Sequence, residues 1–526
     1  MNPDSFSGKT QIFTKLLITI GMNETLAQIG VLIKKLREER GLTQKDLGVA
    51  IGTTQSAVAR MENGEQNLST EMFSKISIAL NKEIVRLAGR DVSLAIEGGK
   101  KLSGSVTTST SKNIAMGILA ASLLNKGKTI LKNMPNIEEV HRIVEVLQSI
   151  GITINWVGND MHVVPPKKIS LESINRESAM RTRSVIMLIG PLIHALKSFS
   201  IPQSGGCKLG SRSVRPHFYA LENFGVHIET TETTYEIVHK GLHDGEVVLY
   251  ESGDTVTENV IMAAARIPGK TVIKYASANY QVQDLCFFLE KLGVKIEGIG
   301  TTTLTVYGIN KIDVDIEYEI SEDPTDTMFF IAAAILTNSE IEIKRCPINF
   351  LELELLRLKK MGFSFVKSDL YKAKNGKTNL CDIITKPSTL VAPEDKIHAL
   401  PYPGLNMDNL PFFAVIATQA SGTTLIHDWT YEKRAIYYTE LDKLGAETVL
   451  ADPHRIYITG KSELRASEVV CPPALRPATI ILIGMLGAKG KSILRNVYSI
   501  NRGYENLVNR LQTLGAKVSI LQEFTS

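Results

Sequence analysis

A repeated α/β body preceded by a small all-α piece is the fold class that the sequence predicts, and three observations predict it. A helix-ending phrase followed by an alternating strand recurs six times between residues 147 and 518. Most of these units also carry a strand opened by a phrase such as GKTILKN, GKTVIKY, GTTLIHD or GKSILRN, placed after an Ala-rich helix such as NVIMAAARIP or TMFFIAAAIL. Residues 27–82 lack these features and read as short helices joined by polar turns.

The recurring phrases are LQSIGITI, LENFGVHI, LEKLGVKI, LKKMGFSF, LDKLGAET and LQTLGAKV. Their glycines, Gly151, Gly225, Gly293, Gly362, Gly445 and Gly515, are 74, 68, 69, 83 and 70 residues apart. Glycine after a helix accepts the left-handed backbone that stops it. The segment that follows alternates apolar with polar residues, as a half-buried strand does. Six copies in step predict an internally repeated architecture rather than a Rossmann sheet.

The chain has 526 residues, 44% hydrophobic and 22% charged, which suits several globular domains. A net charge of +4 over that length gives no strong polyanion affinity by itself. Five widely spaced cysteines with no CxxC pair argue against a disulfide framework or a zinc site and for a reducing, cytoplasmic setting. The apolar run Ile12–Ile20 is interrupted by Lys15 and lacks a small-residue cleavage site, so neither a signal peptide nor a membrane span is expected. Residues 1–24 are expected to form a disordered leader.

Within the front piece, Leu32–Arg40 places apolar and basic residues on different helical faces, and Gly41 ends that helix. Thr43 with Asp46 three residues on predicts a capped second helix. Gly52 then makes a turn into a third helix whose first residues are short and polar, as a major-groove reader requires. Residues 25–90 resemble the Cro/repressor family of helix-turn-helix domains in the pattern Leu-x-x-x-Arg, Gly-Leu-Thr-Gln, Ser-x-Val and Glu-Asn-Gly. The resemblance implies that Gln44, Thr54, Gln55, Ser56 and Arg60 face DNA. Glu38, Glu39, Asp46, Glu62 and Glu65 nearly balance the local basic charge, so docking onto a protein is the competing role.

Two places in the body carry residues that folding does not require. Ser111-Lys112-Asn113 opens the first Ala-rich helix and presents a cation and an amide at a helix start. Gly205-Gly206-Cys207-Lys208-Leu209-Gly210-Ser211-Arg212 sets a cysteine between a lysine and an arginine in a glycine-rich segment, which lowers a thiol pKa and favours reactivity.

With TENVIM at 257–262 and Asn501-Arg502-Gly503-Tyr504-Glu505, these phrases make residues 92–526 resemble the UDP-N-acetylglucosamine 1-carboxyvinyltransferase family. The resemblance implies the enolpyruvyl transferase fold, a two-lobed inside-out α/β barrel of six βαβαββ repeats with its site between the lobes. It places 91–111 plus 322–526 in the first lobe and 112–321, with the Cys207 loop, in the second. It further implies transfer from phosphoenolpyruvate to the 3-hydroxyl of UDP-N-acetylglucosamine without metal or cofactor, and it leaves a homodimer open. Lys112 and Asn113 would hold the substrates between the lobes, with Lys112 also serving catalysis. Cys207, on a mobile loop, would protonate phosphoenolpyruvate or attack it. Arg183, Arg212, Arg476 and Arg502 would grip its phosphate and carboxylate. Asp408 would be the general base, and His217, Tyr431 and Arg434 would assist in the cleft.

Several positions depart from the family pattern. The usual Arg-Pro-Val-Asp-Leu-His reads Arg212-Ser213-Val214-Arg215-Pro216-His217, so a residue that normally contacts the nucleotide changes from acidic to Arg215. The Ser-Val-Gly nucleotide phrase becomes Gly253-Asp254-Thr255. Two Asp-Leu-Arg and Asp-Arg-Gly phrases keep Arg476 and Arg502 while losing Asp, and Glu138 replaces a basic residue. The related 5-enolpyruvylshikimate-3-phosphate synthase is disfavoured because it lacks the cysteine loop. A non-catalytic metabolite-sensing transcription regulator is the alternative from another class. Retention of Lys112, Cys207, Asp408 and the four arginines weighs against it, because a pure sensor needs no acid–base pair.

Overall fold

The computed structural model describes residues 92–203 and 213–522 and, in the front piece, 42–66, most of 30–40 and Met72, Lys75, Ile76, Ala79 and Leu80. The expected leader, Cys207 and Arg212 lie outside the described residues. The chain divides into two compact units, Met1–Arg90 and Asp91–Ser526.

In the first unit, α1 (Gln44–Ile51) opens on the capping box expected from Thr43 and Asp46: the Thr43 hydroxyl accepts from the Asp46 N–H, and the Asp46 carboxylate accepts from the Thr43 N–H at 2.9 Å. Such a cap stabilises a helix by about 1 kcal/mol. Gly52 ends α1 at φ 73°, and Thr54 caps α2 (Gln55–Glu62) by accepting from the Ala57 N–H. Ile33, Leu36, Leu47, Ile51, Val58 and Met61 bury the inner faces of the helices in one small core. Beside that core, Arg37 and Glu62 form a buried ion pair at 2.5 Å.

Among the described residues, the second unit contains six separate sheets. Four strands in the order Lys295–Glu297, Thr303–Gly308, Gly269–Lys274 and Glu246–Val248 show the pattern: one parallel pair, then two antiparallel neighbours. Among the described residues, the sheet built on Ser198–Pro202 has three strands and no parallel partner. All six repeat glycines have positive φ, between 82° and 101°. A side chain there would cost about 1–2 kcal/mol in backbone strain, so each glycine stops its helix and turns the chain into the next strand.

Two hydrophobic cores organise the sheets. One draws on residues between Ile114 and Ile320, the other on Leu94–Val106 and Met328–Val518. At the centre of the first lie α3 (Lys112–Ala121), α6 (Asp254–Ala264) and α7 (Tyr280–Lys291), while α4 (Glu138–Ser149) and α5 (Arg215–Glu222) pack beside them. At the centre of the second lie α8 (Pro324–Leu336), α9 (Leu410–Ala417) and α10 (Leu475–Gly487). Every residue of α9 is buried. Helices apolar on all faces belong inside, whereas strands such as Val226–Thr230 bury alternate residues and turn the others to solvent. Helices within and sheets without is the inside-out α/β arrangement that the family resemblance implies.

The chain passes between the cores twice, and the two crossings run side by side. Thr110 and Glu322 form an antiparallel bridge, the Ser111 N–H donates to the Ser321 carbonyl at 2.9 Å and the Asp323 N–H to the Ser109 carbonyl at 2.8 Å. Each crossing leaves a strand in the sheet it departs from: Ser105–Thr107 pairs with Glu342–Pro347, and Ile316–Glu319 with Thr129–Lys132. Each then starts a central helix, capped by Ser111 at α3 and Asp323 at α8. Lys112 and Asn113 are thereby delivered to the junction of the two cores. Among the described residues, no helix is long and apolar enough to cross a membrane.

Candidate active site

Charged side chains converge where the cores meet. The Lys112 ammonium lies 3.1 Å from Glu139 in the first turn of α4, and Arg502 approaches the same carboxylate at 3.7 Å from the other core. Burial raises the Glu139 carboxyl, but Lys112 and Arg502 overcome it and hold the group below the usual carboxylate range. Its neighbour Glu138 points elsewhere, pairing with Arg142 at 2.6 Å.

Asp408 is half-buried and meets Arg476 at 3.3 Å. Burial pushes its carboxyl up, yet the charges of Arg476, Arg434 and Lys112 bring it below the ordinary value, so it is ionised near neutrality. Arg476 also donates to the Tyr504 hydroxyl at 3.0 Å. The backbone under Asp408 is fixed from several sides. Its N–H donates to the Asn406 side chain at 2.8 Å, and Glu354 accepts from both the Asn406 N–H and the Asn409 amide.

Other expected residues stand further from open space. Arg434 is 1% exposed and bound bidentately to Asp428 at 2.5 and 2.8 Å, with Tyr438 donating to the same carboxylate. Its Nη2 also donates to the Met407 carbonyl at 2.8 Å, and its guanidinium lies 4.1 Å from the centre of the Tyr431 ring. Arg434 therefore touches the residue preceding Asp408 rather than the space in front of it. His217 is buried between Asn259 at 3.1 Å and Thr255 at 3.4 Å; burial and then the charge of Arg183 lower its pKa to about 3, so it is neutral. Arg183 donates to the Ser213 carbonyl at 3.1 Å, and Asn113 donates to the Tyr280 hydroxyl at 2.9 Å.

The structure thus brings Lys112, Asp408, Arg476 and Arg502 together and adds Glu139, Asp323 and Tyr504, which sequence reasoning passed over. Tyr504 lay within the phrase quoted for Arg502, and Glu139 adjoined the noted Glu138. Asp323 sits on the second crossing, and burial raises its carboxyl despite the charge of Arg476. Three cations facing ionised carboxylates form a site that can exchange internal partners for an anionic substrate while keeping one carboxylate as a proton acceptor. The four described cysteines, Cys286, Cys346, Cys381 and Cys471, are buried, and burial pushes Cys381 up to about 11 and Cys471 to about 12. Such thiols are inert.

In the front unit, Gln44 donates to Glu62 at 2.9 Å and accepts from Gln55 at 2.7 Å. Thr54, Gln55, Ser56 and Arg60 are exposed at the start and outer face of α2.

Residues 96–511 match the family described as EPSP synthase (3-phosphoshikimate 1-carboxyvinyltransferase), and residues 33–87 match a helix-turn-helix family. The UDP-N-acetylglucosamine 1-carboxyvinyltransferase of Treponema denticola is 33% identical over 431 residues, covering 81% of this chain and 99% of that protein. Its counterpart from Borreliella burgdorferi is 33% identical over 426 residues, covering 81% and 98%. Among solved structures, the enolpyruvyl transferase NikO from Streptomyces tendae superposes with a TM-score of 0.71 at 20% identity, covering 82% of this chain and 99% of that one.

Proposed function

The chain belongs to the EPSP synthase family of enolpyruvyl transferases, and from that premise we propose that it transfers the enolpyruvyl group of phosphoenolpyruvate to the 3-hydroxyl of UDP-N-acetylglucosamine, releasing phosphate in the first committed step of peptidoglycan synthesis. The observation that carries the reading is the ionised Asp408, held against Arg476 in the space that Lys112 and Arg502 also face. The acceptor follows the relatives, whose identity spans nearly their whole length.

The chemistry assigns each group a task. Protonation of the methylene carbon of phosphoenolpyruvate makes the adjacent carbon electrophilic, and Cys207 is the acid for that step. The sugar oxygen attacks that carbon while Asp408 takes its proton. The tetrahedral adduct then loses phosphate, and a proton leaves the methyl group to restore the enol ether. Arg183, Arg212, Arg476 and Arg502 bind phosphate and carboxylate, and Lys112 and Asn113 hold the substrates at the junction. A bound phosphate draws Arg476 charge away from Asp408 and makes the carboxylate a stronger base. Tyr431 and Arg434 support the site by holding Met407, and neutral His217 fixes the wall formed by α5 and α6. No metal or cofactor enters the scheme.

Phosphate release from phosphoenolpyruvate plus UDP-N-acetylglucosamine tests this reading. Wild type is expected to release phosphate, and Asp408→Ala to lose about 10²- to 10⁴-fold in kcat with substrate binding retained. Wild type that binds both substrates and releases nothing would shift the reading to the metabolite-sensing regulator.

For the front unit, a helix-turn-helix domain, we infer DNA binding through Thr54, Gln55, Ser56 and Arg60 at α2, with Gln44 bracing Gln55. The protein is expected to bind duplex DNA with an affinity that falls steeply as salt rises, and Arg60→Ala to flatten that slope by about one phosphate contact. Salt-independent or absent binding would instead favour protein docking. Both activities place the protein in the cytoplasm.

A further inference from the structure

Asp284 carries a buried carboxyl that the proposed reaction does not use. It stands on α7 one turn after Tyr280, which receives the Asn113 amide, and it is 2% exposed. It accepts from the Tyr318 hydroxyl, on the strand Ile316–Glu319 that leads into the second crossing. From the other core, the Asn375 amide reaches it at 3.3 Å. Asn375 lies at the tip of a hairpin in which Tyr371–Lys372 pairs with Asn379–Lys386. Its amide cannot turn over without loss, because its oxygen accepts from the Lys377 and Thr378 N–H groups at 3.0 Å each.

The hairpin tip reaches the first core as a strap. On either side of Asn375, Lys374 pairs with Glu319 at 3.3 Å and Lys377 with Glu290 at 3.4 Å. A hollow of about 500 Å³ opens between strap and α7, lined among others by Tyr318, Phe287 and Asn375. The two side chains that hold Asp284 are thus also walls of that hollow, and a lifted strap bares the carboxyl to solvent.

Burial, helped by the charge of Glu322, pushes Asp284 up to about 7 against hydrogen bonds from Tyr318, the Ser321 backbone and Asn375. The other charges around it are committed: Glu322 to Arg345, Glu319 to Lys374, Glu290 to Lys377, Lys132 to Asp160 and, on α3, Lys112 to Glu139. Lys291 and Glu317 are exposed. Burial pushes the Cys286 thiol and the Tyr318 hydroxyl up, so both stay neutral. Glu258 on α6 is also raised by burial, but it bonds Gln281 rather than the strap.

As an acid, Asp284 fits its site. Its proton goes to the Tyr318 oxygen, and the Tyr318 proton turns to the Asp284 backbone carbonyl 3.2 Å away. The other carboxyl oxygen keeps Asn375. As a carboxylate it is a buried charge near Glu322, and water in the hollow favours it.

We propose that Asp284 is a proton-operated catch between the two cores: protonated, it seats hairpin 371–379 on α7, and ionised, it releases the hairpin to solvent. The carboxyl is raised only while the strap is seated. The ratio of lifted to seated strap therefore grows up to about tenfold per pH unit from an ordinary carboxyl value of about 3.9 to the seated value of about 7, and levels off above it. Release frees α7 one turn from Tyr280, so the proton sets how firmly two walls of the candidate site are joined.

Hydrogen–deuterium exchange of hairpin 371–379 in the full chain tests this, with wild type and Asp284→Asn compared at equal pH so that intrinsic exchange cancels. Asparagine mimics the neutral acid and keeps the strap seated. The ratio of wild-type to Asp284→Asn exchange is expected to rise at least about tenfold between about pH 5 and about pH 8. Asn375→Ala, at the half-buried tip, gives a reading independent of position 284. It is expected to speed hairpin exchange about fivefold at about pH 5, where wild type is seated. A ratio that stays constant over the range overturns the proposal, as does Asn375→Ala exchange equal to wild type at the acid end.

Discussion

Two arginine–aspartate pairs lie either side of the Met407–Asp408 peptide, and they differ in every respect that separates scaffold from chemistry. Arg434 and Asp428 are 1% and 0% exposed, meet through two hydrogen bonds and share a third from Tyr438. Arg476 and Asp408 are 9% and 23% exposed and meet through one bond at 3.3 Å. The first pair is tied further to the backbone, through an Arg434 bond to the Met407 carbonyl. The second keeps lone pairs and N–H groups uncommitted. A fully buried ion pair held by several hydrogen bonds costs too much to open. A loose pair at the edge of solvent can trade its partner for a substrate, and in the proposed reaction Arg434 holds Asp408 in place while Arg476 works with it.

Breaking the buried pair is the strongest way to test that contrast. Asp428→Asn leaves the Arg434 charge buried without its counter-ion and is expected to cost about 3–5 kcal/mol of stability, read as a lower urea midpoint. Asp408→Asn is expected to cost only about 1 kcal/mol, because one solvent-accessible bond is lost. Its effect falls on kcat instead. Equal destabilisation by the two substitutions would erase the distinction between scaffold and site.

The sequence announced features whose cause is local. The six repeat glycines declare themselves because each ends a helix through its own backbone, and all have the positive φ that this requires. Thr43 and Asp46 declare the α1 cap because both partners lie within one turn. Residues dependent on distant partners did not declare themselves. Arg434 was expected to assist in the cleft, yet its orientation follows from Asp428 and Tyr438, which resemble any other polar residues until the Ala420–His427 strand and the following turn bring them together. Glu139 and Glu138 are adjacent and identical in type, and only the set of α4 against α3 decides which one meets Lys112. The exchange of strands at the crossings joins Ser105–Thr107 to Glu342–Pro347, a pairing that no local pattern encodes.

A smaller effect sharpens the comparison through pH. The folded protein holds the Asp408 carboxyl below its ordinary value: burial opposes this, and Arg476, Arg434 and Lys112 prevail. Ionised Asp408 therefore stabilises the fold fully above the unfolded carboxyl value of about 3.9, and that contribution is lost as pH falls through the lowered folded value. Asparagine at the same position has no proton to gain. The stability gap between wild type and Asp408→Asn, about 1 kcal/mol at neutral pH, is expected to close as pH falls below about 3.9. Urea midpoints of both proteins at neutral and acid pH measure the gap, and the difference between variants removes titrations common to both. A gap that stays constant across that range would mean that Asp408 contributes through its shape rather than its charge, which would remove it as the proton acceptor.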